Sequence, residues 1–272
     1  MGGLKDKEKI FQLLNERQEP FIDNNRITQI KVDGRLVRVE KVGDKLTLSG
    51  RDFISKDNFP EAVNSLMNIP FSFKSDCEFA CFEKDGIKSN FSKLQTRSKL
   101  KDKFKIKLLS KLTPVTPVFF DLLEFEGQQV TNEPYNKRKG ILNEKFSGLQ
   151  GIRVVKDWED PLKCWKYVIT NSLEGIVEKD KNSTYKTGRN EAGIKVKRKA
   201  LTSMKFNGYE TSNAGITLTN EQGFRVACNG QKHIEVKKRI DDNGFVNVLV
   251  RSMADKTDKG RLREIVFFSL EE

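Results

Sequence analysis

The chain has 272 residues, 36% hydrophobic and 32% charged, which is enough to bury a core in one large domain or two modest ones. No apolar run approaches the roughly 20 residues that cross a bilayer, and the first thirty residues lack a signal peptide's apolar segment. We therefore expect a cytoplasmic protein with no membrane association. The net charge of +12 favours a polyanionic partner, although scattered lysines also serve solubility.

The first half of the chain alternates helical and strand patterns. Residues 4–17 place apolar side chains among charges, which predicts an amphipathic helix that ends before Pro20. Residues 28–49 have a period of two broken by Gly43-Asp44, which predicts two strands and a hairpin. Residues 59–67 predict a helix with Pro60 at its start, and residues 78–82 predict a strand.

The middle of the chain begins with a lysine-rich stretch, residues 97–111. Such a run is typical of a solvated face, and contact with a polyanion is the alternative. A continuous apolar run predicts a buried strand over residues 115–126. A helix is predicted over residues 135–146, and a further strand around residues 175–177.

After residue 199 the amino-acid composition changes, and Gly, Asn and Thr become frequent. Short strand-like segments follow at residues 215–219, 224–227, 234–236 and 245–251. Strands at this spacing predict a small barrel. We therefore place one domain at residues 1–199 and a second at residues 200–272.

The chemistry-bearing residues favour lysine over cysteine or histidine. The four cysteines form no C-x-x-C pair, and the single histidine, His233, has no accompanying nucleophile motif. A lysine amine must be neutral to attack phosphorus, and nearby cations and desolvation lower its pKa. Lys195 and Lys197 share one face of a predicted strand, and Glu174 is a suitable oxygen ligand for Mg²⁺.

Five short motifs occur in a fixed order along the chain. They are Lys31-Val32-Asp33-Gly34-Arg35, Phe119-Phe120-Asp121-Leu122-Leu123, Leu173-Glu174-Gly175-Ile176-Val177, Ile194-Lys195-Val196-Lys197 and Gly260-Arg261-Leu262-Arg263. Each is weak alone. Together they resemble the covalent nucleotidyltransferases, most closely the ATP-dependent DNA ligases in the minimal form of viruses, phages and some bacteria. The resemblance implies an α+β fold: a nucleotidyltransferase domain of antiparallel sheets with flanking helices, followed by an OB-fold barrel.

The resemblance also assigns roles around the first motif. Lys31 corresponds to the covalent AMP carrier, and Arg35 to the arginine that recognises the 5′-phosphate side of a nick. Arg51, in Ser49-Gly50-Arg51, corresponds to a residue that contacts nucleotide and nick phosphate. Arg189, in Tyr185-Lys186-Thr187-Gly188-Arg189, lies in a segment that matches a phosphate-facing loop and is expected to contact DNA.

The remaining assignments concern the nucleotide. By resemblance Glu78 binds the ribose, Phe120 stacks on adenine with Phe119 facing the core (or the reverse), Glu174 binds metal with Glu78, and Lys195 and Lys197 bind the α-phosphate as catalytic lysines. Gln29 joins this nucleotide-binding set, and Arg263 orients the pyrophosphate. The chain departs from the family pattern at four positions: Cys77 replaces a glycine, Gly193 a tryptophan, Ile265 a proline and Glu271 an arginine.

The implied activity is ATP-dependent sealing of nicks in duplex DNA, with Mg²⁺ or Mn²⁺, by a monomer that acts in replication or repair, in the cytoplasm or as a viral or phage protein in its host. An RNA ligase or an mRNA-capping guanylyltransferase would use the same lysyl-nucleotide chemistry. A non-enzymatic OB-fold protein that binds nucleic acid is the third alternative. NAD⁺ is not expected as the donor, because those ligases add an N-terminal module and a zinc site.

Overall fold

The computed structural model describes residues 10–257 and 260–271. The chain divides after Lys197 into two compact units. The boundary predicted from the sequence, between residues 199 and 200, lies two residues further along.

The first unit contains two sheets and five helices within the described residues. Five strands form the first sheet: β1 (Gln12–Arg17), β2 (Arg26–Lys31), β9 (Asp157–Trp158), β10 (Gly175–Asp180) and β11 (Gly188–Lys197). Their order is β1-β11-β10-β2-β9, with β1 parallel to β11 and the other pairs antiparallel.

The second sheet carries the hairpin predicted from the sequence. Its strands are β3 (Arg35–Val42), β4 (Lys45–Gly50), β5 (Phe73–Cys81), β6 (Val115–Phe125) and β7 (Gln128–Gln129), in the order β4-β3-β5-β6-β7, and β8 (Arg153–Val154) pairs with β6. The hairpin joins β3 to β4 through Gly43, whose φ of 54° is a conformation that favours glycine.

Helices cover the outer faces of both sheets. They are α1 (Pro60–Met67), α2 (Phe91–Ser98), α3 (Lys103–Leu112), α4 (Tyr135–Phe146) and α5 (Pro161–Thr170). The main core lies between the second sheet and its helices and includes Phe73, whose ring meets those of Phe119 and Phe146 edge to face. A smaller core, which includes Cys164 and Ile176, lies between α5 and the first sheet. The predicted helices at 59–67 and 135–146 and the strand at 115–126 are confirmed.

The helix predicted over residues 4–17 is wrong where the structure describes it. Residues 12–17 form the edge strand β1, which pairs with β11, and residues 4–9 lie outside the described part of the chain. Phe11 is fully buried and its ring lies 5.1 Å from the guanidinium of Arg38. Tertiary pairing with an available sheet edge thus overrides the local helical pattern.

Over its described residues, the second unit is an antiparallel β-structure with one helix, α6 (Lys232–Asn243). Its strands are β12 (Lys199–Phe206), β13 (Gly208–Ser212), β14 (Gly215–Thr219), β15 (Arg225–Asn229), β16 (Val246–Met253) and β17 (Val266–Leu270). They form two sheets, β12-β16-β17 and β13-β14-β15. Only Asn207 separates β12 from β13, so one bent run of chain serves both sheets, and both sheets enclose a single core with α6.

The strand predicted at residues 234–236 is wrong, because these residues belong to α6. Val236 and Ile240, four residues apart, are buried on one face of this helix. The helix ends at Gly244, which has a φ of 76°. The predicted fold class, antiparallel sheets with flanking helices followed by a small β-barrel, is confirmed. No helix in the described ranges is long and apolar enough to cross a membrane.

Candidate active site

The first unit brings Lys31, Glu174 and Lys197 together at one end of the central strands of its first sheet, β2, β10 and β11. Lys31 ends β2 and pairs with Gly175, the first residue of β10, so Glu174 lies next to it. Lys31 Nζ donates a hydrogen bond to Glu174 Oε2 at 2.8 Å. Lys197 Nζ lies 3.9 Å from the other oxygen, Oε1. One buried carboxylate therefore bridges two lysines that the sequence places 166 positions apart.

Two glycines allow the strands to approach this closely. A Cβ at Gly175 would lie 2.1 Å from the carbonyl oxygen of Val196 on β11. A Cβ at Gly34 would lie 2.3 Å from the carbonyl oxygen of Phe79 and 2.7 Å from Cγ of Glu78. The glycines of two sequence motifs are thus required by packing, because any side chain would push the site's strands apart.

The electrostatics of Lys31 differ from the expectation that nearby cations lower its pKa. Burial alone lowers the pKa of Lys31, but the charges of Glu174 and Glu78 outweigh burial and hold the pKa above its ordinary value. The sequence-based expectation of a lowered pKa is therefore wrong for the nucleotide-free protein. Its amine is held protonated by the neighbouring carboxylates.

The same surroundings shift the pKa values of Glu174 and Glu78. Burial raises the pKa of Glu174, against the opposing charge of Lys31. Burial also raises the pKa of Glu78 to about 8; Lys31 opposes this rise, Glu174 adds to it, and Arg51 opposes it. Glu78 is therefore electrostatically coupled to the Lys31–Glu174 pair.

Lys195 lies on β11 two residues before Lys197. Burial lowers the pKa of Lys195, and the positive charge of Lys197 lowers it further. Its Nζ contacts Glu16 of β1 at 3.3 Å. Both lysines lie at the same end of the central strands as Lys31, and the three amines provide positive charge for an anionic ligand.

The donor set suits a hard cation. Glu174 and Glu78 supply only carboxylate oxygens, and Asp33 adds negative charge close to both. Among the described residues no cluster of three or more His, Cys, Asp or Glu converges as a ready-made metal cage. Mg²⁺ commonly uses one or two carboxylates and completes its shell with phosphate and water oxygens. The residues present therefore fit Mg²⁺ as an ion that shares its ligands with a phosphate-bearing substrate.

Gln29 lies on β2, two residues before Lys31, and Phe120 lies on β6. Gln29 donates from Nε2 to the Tyr135 hydroxyl at 2.8 Å and to Asp157 Oδ1 at 2.7 Å. These bonds fix the amide and leave its oxygen as an acceptor. The ring of Phe120 is partly exposed and packs near Val32, whereas Phe119 is fully buried in the main core. Of the two phenylalanines, Phe120 is the one available to a ligand.

The three arginines expected to contact DNA lie at the surface of the first unit. Arg35 Nη2 donates to the carbonyl oxygen of Phe53 at 2.9 Å and lies 3.8 Å from Asp52 Oδ2. Arg51 is exposed. Arg189 is exposed and donates to the carbonyl oxygen of Leu14.

Arg263 belongs to the second unit, where its carbonyl oxygen accepts a hydrogen bond from the backbone amide of Met253 at 2.9 Å. The role of Arg263 in orienting pyrophosphate is an expectation from the resemblance.

Sequence reasoning missed two buried polar networks that join the sheets. Arg38 on β3 forms a bidentate pair with Asp76 at 2.8 and 3.0 Å, and the Tyr185 hydroxyl donates to Asp76 Oδ2 at 2.6 Å. These bonds link the second sheet to the segment that leads into β11. Asp76 precedes Glu78 by two residues on the same strand face, which is the sequence signal that could have identified it.

The second network centres on Asp121 of the Phe-Asp-Leu-Leu motif. Arg138 on α4 binds its two oxygens at 2.8 and 3.1 Å, and Lys179 Nζ on β10 lies 3.8 Å from Oδ2. Asp121 and Arg138 are both fully buried. The motif's aspartate therefore holds α4 and β10 to the second sheet, a positioning function beside Phe120.

Comparisons with known proteins agree with this geometry. A family model described as ATP dependent DNA ligase domain matches residues 8–197. The SPbeta prophage-derived DNA ligase-like protein LigB of Bacillus subtilis is 26% identical over 270 residues, which cover 92% of this chain and 94% of that protein. DNA ligase 1 of Methanosarcina barkeri is 26% identical over 202 residues, which cover 68% of this chain. The chain spans about a third of the length of that relative, since the match covers 36% of it.

Solved structures share the fold. A structure from a study of DNA binding by Lig E DNA ligases, described as a minimal scaffold, superposes with a TM-score of 0.66 at 15% identity, covering 96% of this chain and 98% of that one. A mycobacterial DNA ligase D complexed with ATP and MES gives a TM-score of 0.60 at 17% identity, covering 96% of this chain and 94% of that one.

Proposed function

Because the chain belongs to the ATP-dependent DNA ligase family, we propose that it seals nicks in duplex DNA with ATP as the adenylate donor. The observation that carries the proposal is the convergence of Lys31, Glu174 and Lys197 at one end of the central strands of the first sheet. The lysine of the first motif thus stands beside a hard carboxylate and a cationic strand, as covalent nucleotidyl transfer requires. We also propose that the protein is a monomer that acts in the cytoplasm, or in the host cell of a virus or phage.

In the first step Lys31 would attack the α-phosphorus of ATP. A bond forms between Nζ and phosphorus while the bond to the bridging oxygen breaks, so pyrophosphate leaves and the amine loses its proton. Since the ion pair with Glu174 holds the amine protonated, nucleotide binding has to separate Nζ from that carboxylate. Lys195 and Lys197 would bind the α-phosphate oxygens and offset the charge that develops there.

Mg²⁺ held by Glu174 and Glu78 would supply neutralisation of phosphate charge and orientation of the leaving group. The base and the ribose would lie beside Phe120 and Glu78. The fixed amide of Gln29 offers its oxygen to a donor on the base. Arg263 would orient the pyrophosphate, as its family position implies.

Two further transfers complete the reaction. The DNA 5′-phosphate oxygen attacks the phosphorus of lysyl-AMP, so AMP moves to the DNA and Lys31 regains its amine. The 3′-hydroxyl then attacks the adenylated 5′-phosphate, a phosphodiester forms and AMP leaves with the electron pair. Arg35, Arg51 and Arg189 carry the positive charge that would hold the nicked strand's phosphates.

The test compares wild type, Lys31→Ala and the control Lys45→Ala, which removes an exposed lysine from β4. Each is incubated with Mg²⁺ and α-labelled ATP or GTP, then with duplexes nicked in a DNA or an RNA strand. We expect ATP-dependent sealing of nicked DNA by wild type and Lys45→Ala, and none by Lys31→Ala.

Other outcomes would contradict the proposal and indicate a different function. Discharge only by nicked RNA would indicate an RNA ligase, and covalent label from GTP alone would indicate a capping enzyme. Absence of label, together with unchanged DNA binding in Lys31→Ala, would indicate a binding protein without ligase activity.

A further inference from the structure

The side-chain amide of Gln29 is held by buried hydrogen bonds to β9 and α4. Only 2% of Gln29 is exposed. Its Nε2 donates to the Tyr135 hydroxyl at 2.8 Å and to Asp157 Oδ1 at 2.7 Å, so both amide hydrogens are used. Among the described residues no group donates to its Oε1. The protein therefore satisfies the two donors of this amide and leaves its acceptor for a ligand.

The partners of Gln29 admit one orientation of the amide. The Tyr135 hydroxyl donates its single hydrogen to the carbonyl oxygen of Phe120 at 2.9 Å, so towards Gln29 it can only accept. Asp157 is a carboxylate and only accepts, and its Oδ2 also accepts from Asn143 Nδ2 at 3.3 Å. A flipped amide would place Oε1 against two acceptors and leave Nε2 without them. Unpaired buried polar groups are strongly disfavoured, so the orientation is fixed.

A buried lysine holds the carboxylate of Asp157 from α4. Lys139 is 1% exposed, and its Nζ lies 3.6 Å from Asp157 Oδ1. The same amine donates to Asn143 Oδ1 at 2.9 Å and to the carbonyl oxygen of Val155 at 2.6 Å. Because a lysine amine only donates, its three neighbours are all acceptors. The position of Asp157 is therefore fixed by contacts that do not involve Gln29.

Tyr135 is also fixed by its surroundings. Its side chain is fully buried, and Arg138 and Lys179 lie 5.4 and 5.5 Å from the centre of its ring. Both cations pair with the carboxylate of Asp121, at 2.8 and 3.8 Å. The hydroxyl thus meets the amide of Gln29 from a position that the second buried network sets.

The free acceptor of Gln29 lies where a base would be read. Gln29 is two residues before Lys31 on β2, so the two side chains leave the strand on the same face. The bond from Tyr135 to the Phe120 carbonyl places the amide next to the residue beside which the proposed function puts the base. Adenine has a 6-amino group, which donates, and guanine has a 6-oxo group, which accepts. An oxygen fixed as an acceptor pairs with the first and repels the second.

We propose that Asp157 and Tyr135 are positioning residues that make the site select ATP over GTP, because they fix the orientation of the Gln29 amide. This inference rests on the proposed function, in which Gln29 contacts the base. A site built to accept a hydrogen bond rejects an analogue without the donor, since its acceptor then stays unpaired. Neither positioning residue has to touch the nucleotide. An amide free to flip would offer Nε2 to a 6-oxo group, and the selectivity would be lost.

The experiment measures covalent labelling of the protein by α-labelled ATP, GTP and inosine triphosphate (ITP) over a range of concentrations. ITP has the 6-oxo group of GTP without its 2-amino group, so it isolates the contact at position 6. The variants are Asp157→Asn, Tyr135→Phe and the double variant Gln29→Glu/Asp157→Asn. Glu159→Gln is the matched control, because it makes the same acid-to-amide change at an exposed position two residues along.

The quantity compared is the ratio of kcat/KM for ATP to kcat/KM for ITP. Both values come from one preparation, so a partly unfolded variant lowers them equally and leaves the ratio intact. A purely structural role for Asp157 or Tyr135 would therefore leave the ratio at its wild-type value. A role in orienting the amide changes it.

We expect Asp157→Asn to lower this ratio by roughly tenfold or more. Its new amide can accept from Asn143 and turn its nitrogen towards Gln29, which favours the flipped orientation. The change should appear mainly as a higher KM for ATP and a lower KM for ITP, with a smaller effect on kcat for ATP. Tyr135→Phe should lower the ratio less, because Asp157 still accepts one hydrogen from Nε2.

The double variant tests orientation directly. A glutamate carboxylate at position 29 has no donor and presents an oxygen whichever way it turns. We therefore expect Gln29→Glu/Asp157→Asn to recover a ratio well above that of Asp157→Asn. Glu159→Gln should keep the wild-type ratio.

A wild-type ratio in both Asp157→Asn and Tyr135→Phe would overturn the proposal. An equal fall in Glu159→Gln, or no recovery in the double variant, would also overturn it. Failure of the proposed function would be seen separately, as an absence of covalent label from all three nucleotides in wild type. The dissociation constants of ATP and ITP, measured by equilibrium dialysis, would then supply the same ratio without the covalent step.

Discussion

The Lys31–Glu174 pair sets the protonation state of Lys31, the proposed nucleophile, in the nucleotide-free protein. Its 2.8 Å hydrogen bond and the nearby Glu78 keep the pKa of Lys31 above its ordinary value. A raised pKa leaves less neutral amine at any pH below it, so the resting site is protected from unwanted reaction. Activation then depends on ligands that replace the Glu174 contact.

Removing the charge of Glu174 should increase the reactivity of Lys31 in the nucleotide-free protein. We expect Glu174→Gln to lower the pKa of Lys31, so that acetylation of this lysine by acetic anhydride rises at pH 8 by several-fold relative to other lysines. Competitive labelling followed by mass spectrometry measures the change. Glu16→Gln is the control, since Glu16 contacts Lys195. An unchanged Lys31 reactivity in Glu174→Gln would refute this account of its pKa.

Glu178 on β10 is a second carboxylate with an unusual environment. It is 1% exposed, and burial raises its pKa to about 7, against the opposing effects of the Phe21 backbone and Arg26. The folded-state pKa exceeds the unfolded one, so the folded state binds more protons between these values. Its contribution to stability is present below about pH 4.5 and is lost as pH rises through about 7.

Glu178→Gln should therefore remove a pH-dependent loss of stability. Between pH 5 and pH 8 we expect the free energy of unfolding of wild type to fall relative to this variant by about 1–3 kcal/mol. Urea unfolding at a series of pH values measures the difference. Glu159→Gln, at an exposed position, should follow wild type at every pH. Parallel curves for wild type and Glu178→Gln would contradict the prediction.

At the scale of elements, the site depends on how closely β10 approaches β11. Gly175 pairs with Lys31 on one side and Lys197 on the other, so any displacement of β10 separates the side chains of the candidate site. Both the packing of the strands and the proposed chemistry therefore require a residue without a side chain at position 175.

Gly175→Ala should destabilise the first unit and reduce self-adenylation. The added Cβ would collide with the backbone of Val196, and overpacking of this kind costs about 1–3 kcal/mol. Gly140→Ala is the opposite case, because Gly140 lies within α4 with nothing within 4 Å of its Cβ position. We expect it to stabilise by about 0.5–1 kcal/mol with unchanged adenylation. Thermal unfolding and labelled-ATP incorporation test both, and a tolerated Gly175→Ala would contradict the packing argument.

Helices and strands whose local apolar periodicity matches the buried face that they present were predictable from the sequence. The helix at 135–146 and the hairpin around Gly43 needed no distant partner to be recognised. The segment 12–17 was not predictable, because its strand conformation depends on an edge supplied by β11 more than 170 positions later. Residues 234–236 were too few to distinguish a strand from the first turns of α6.

At the scale of the whole molecule, motif order selects the residues of the candidate site but does not predict their ion pairs or pKa shifts. The lysines and Glu174 could be chosen because their motifs match a family. Their ion pairing depends on the meeting of β2, β10 and β11, which no local pattern shows. The networks of Arg38 with Asp76 and of Arg138 with Asp121 were missed for the same reason.

The central claim is that Lys31 becomes adenylated and then transfers AMP to nicked DNA. The most direct measurement is mass spectrometry of the protein after incubation with ATP and Mg²⁺, with peptide mapping of the adduct before and after nicked duplex is added. We predict one adenylate per chain, mapped to Lys31 and lost when nicked DNA is supplied but retained with intact duplex. An adenylate on Lys195 or Lys197, or none on any lysine, would contradict the account.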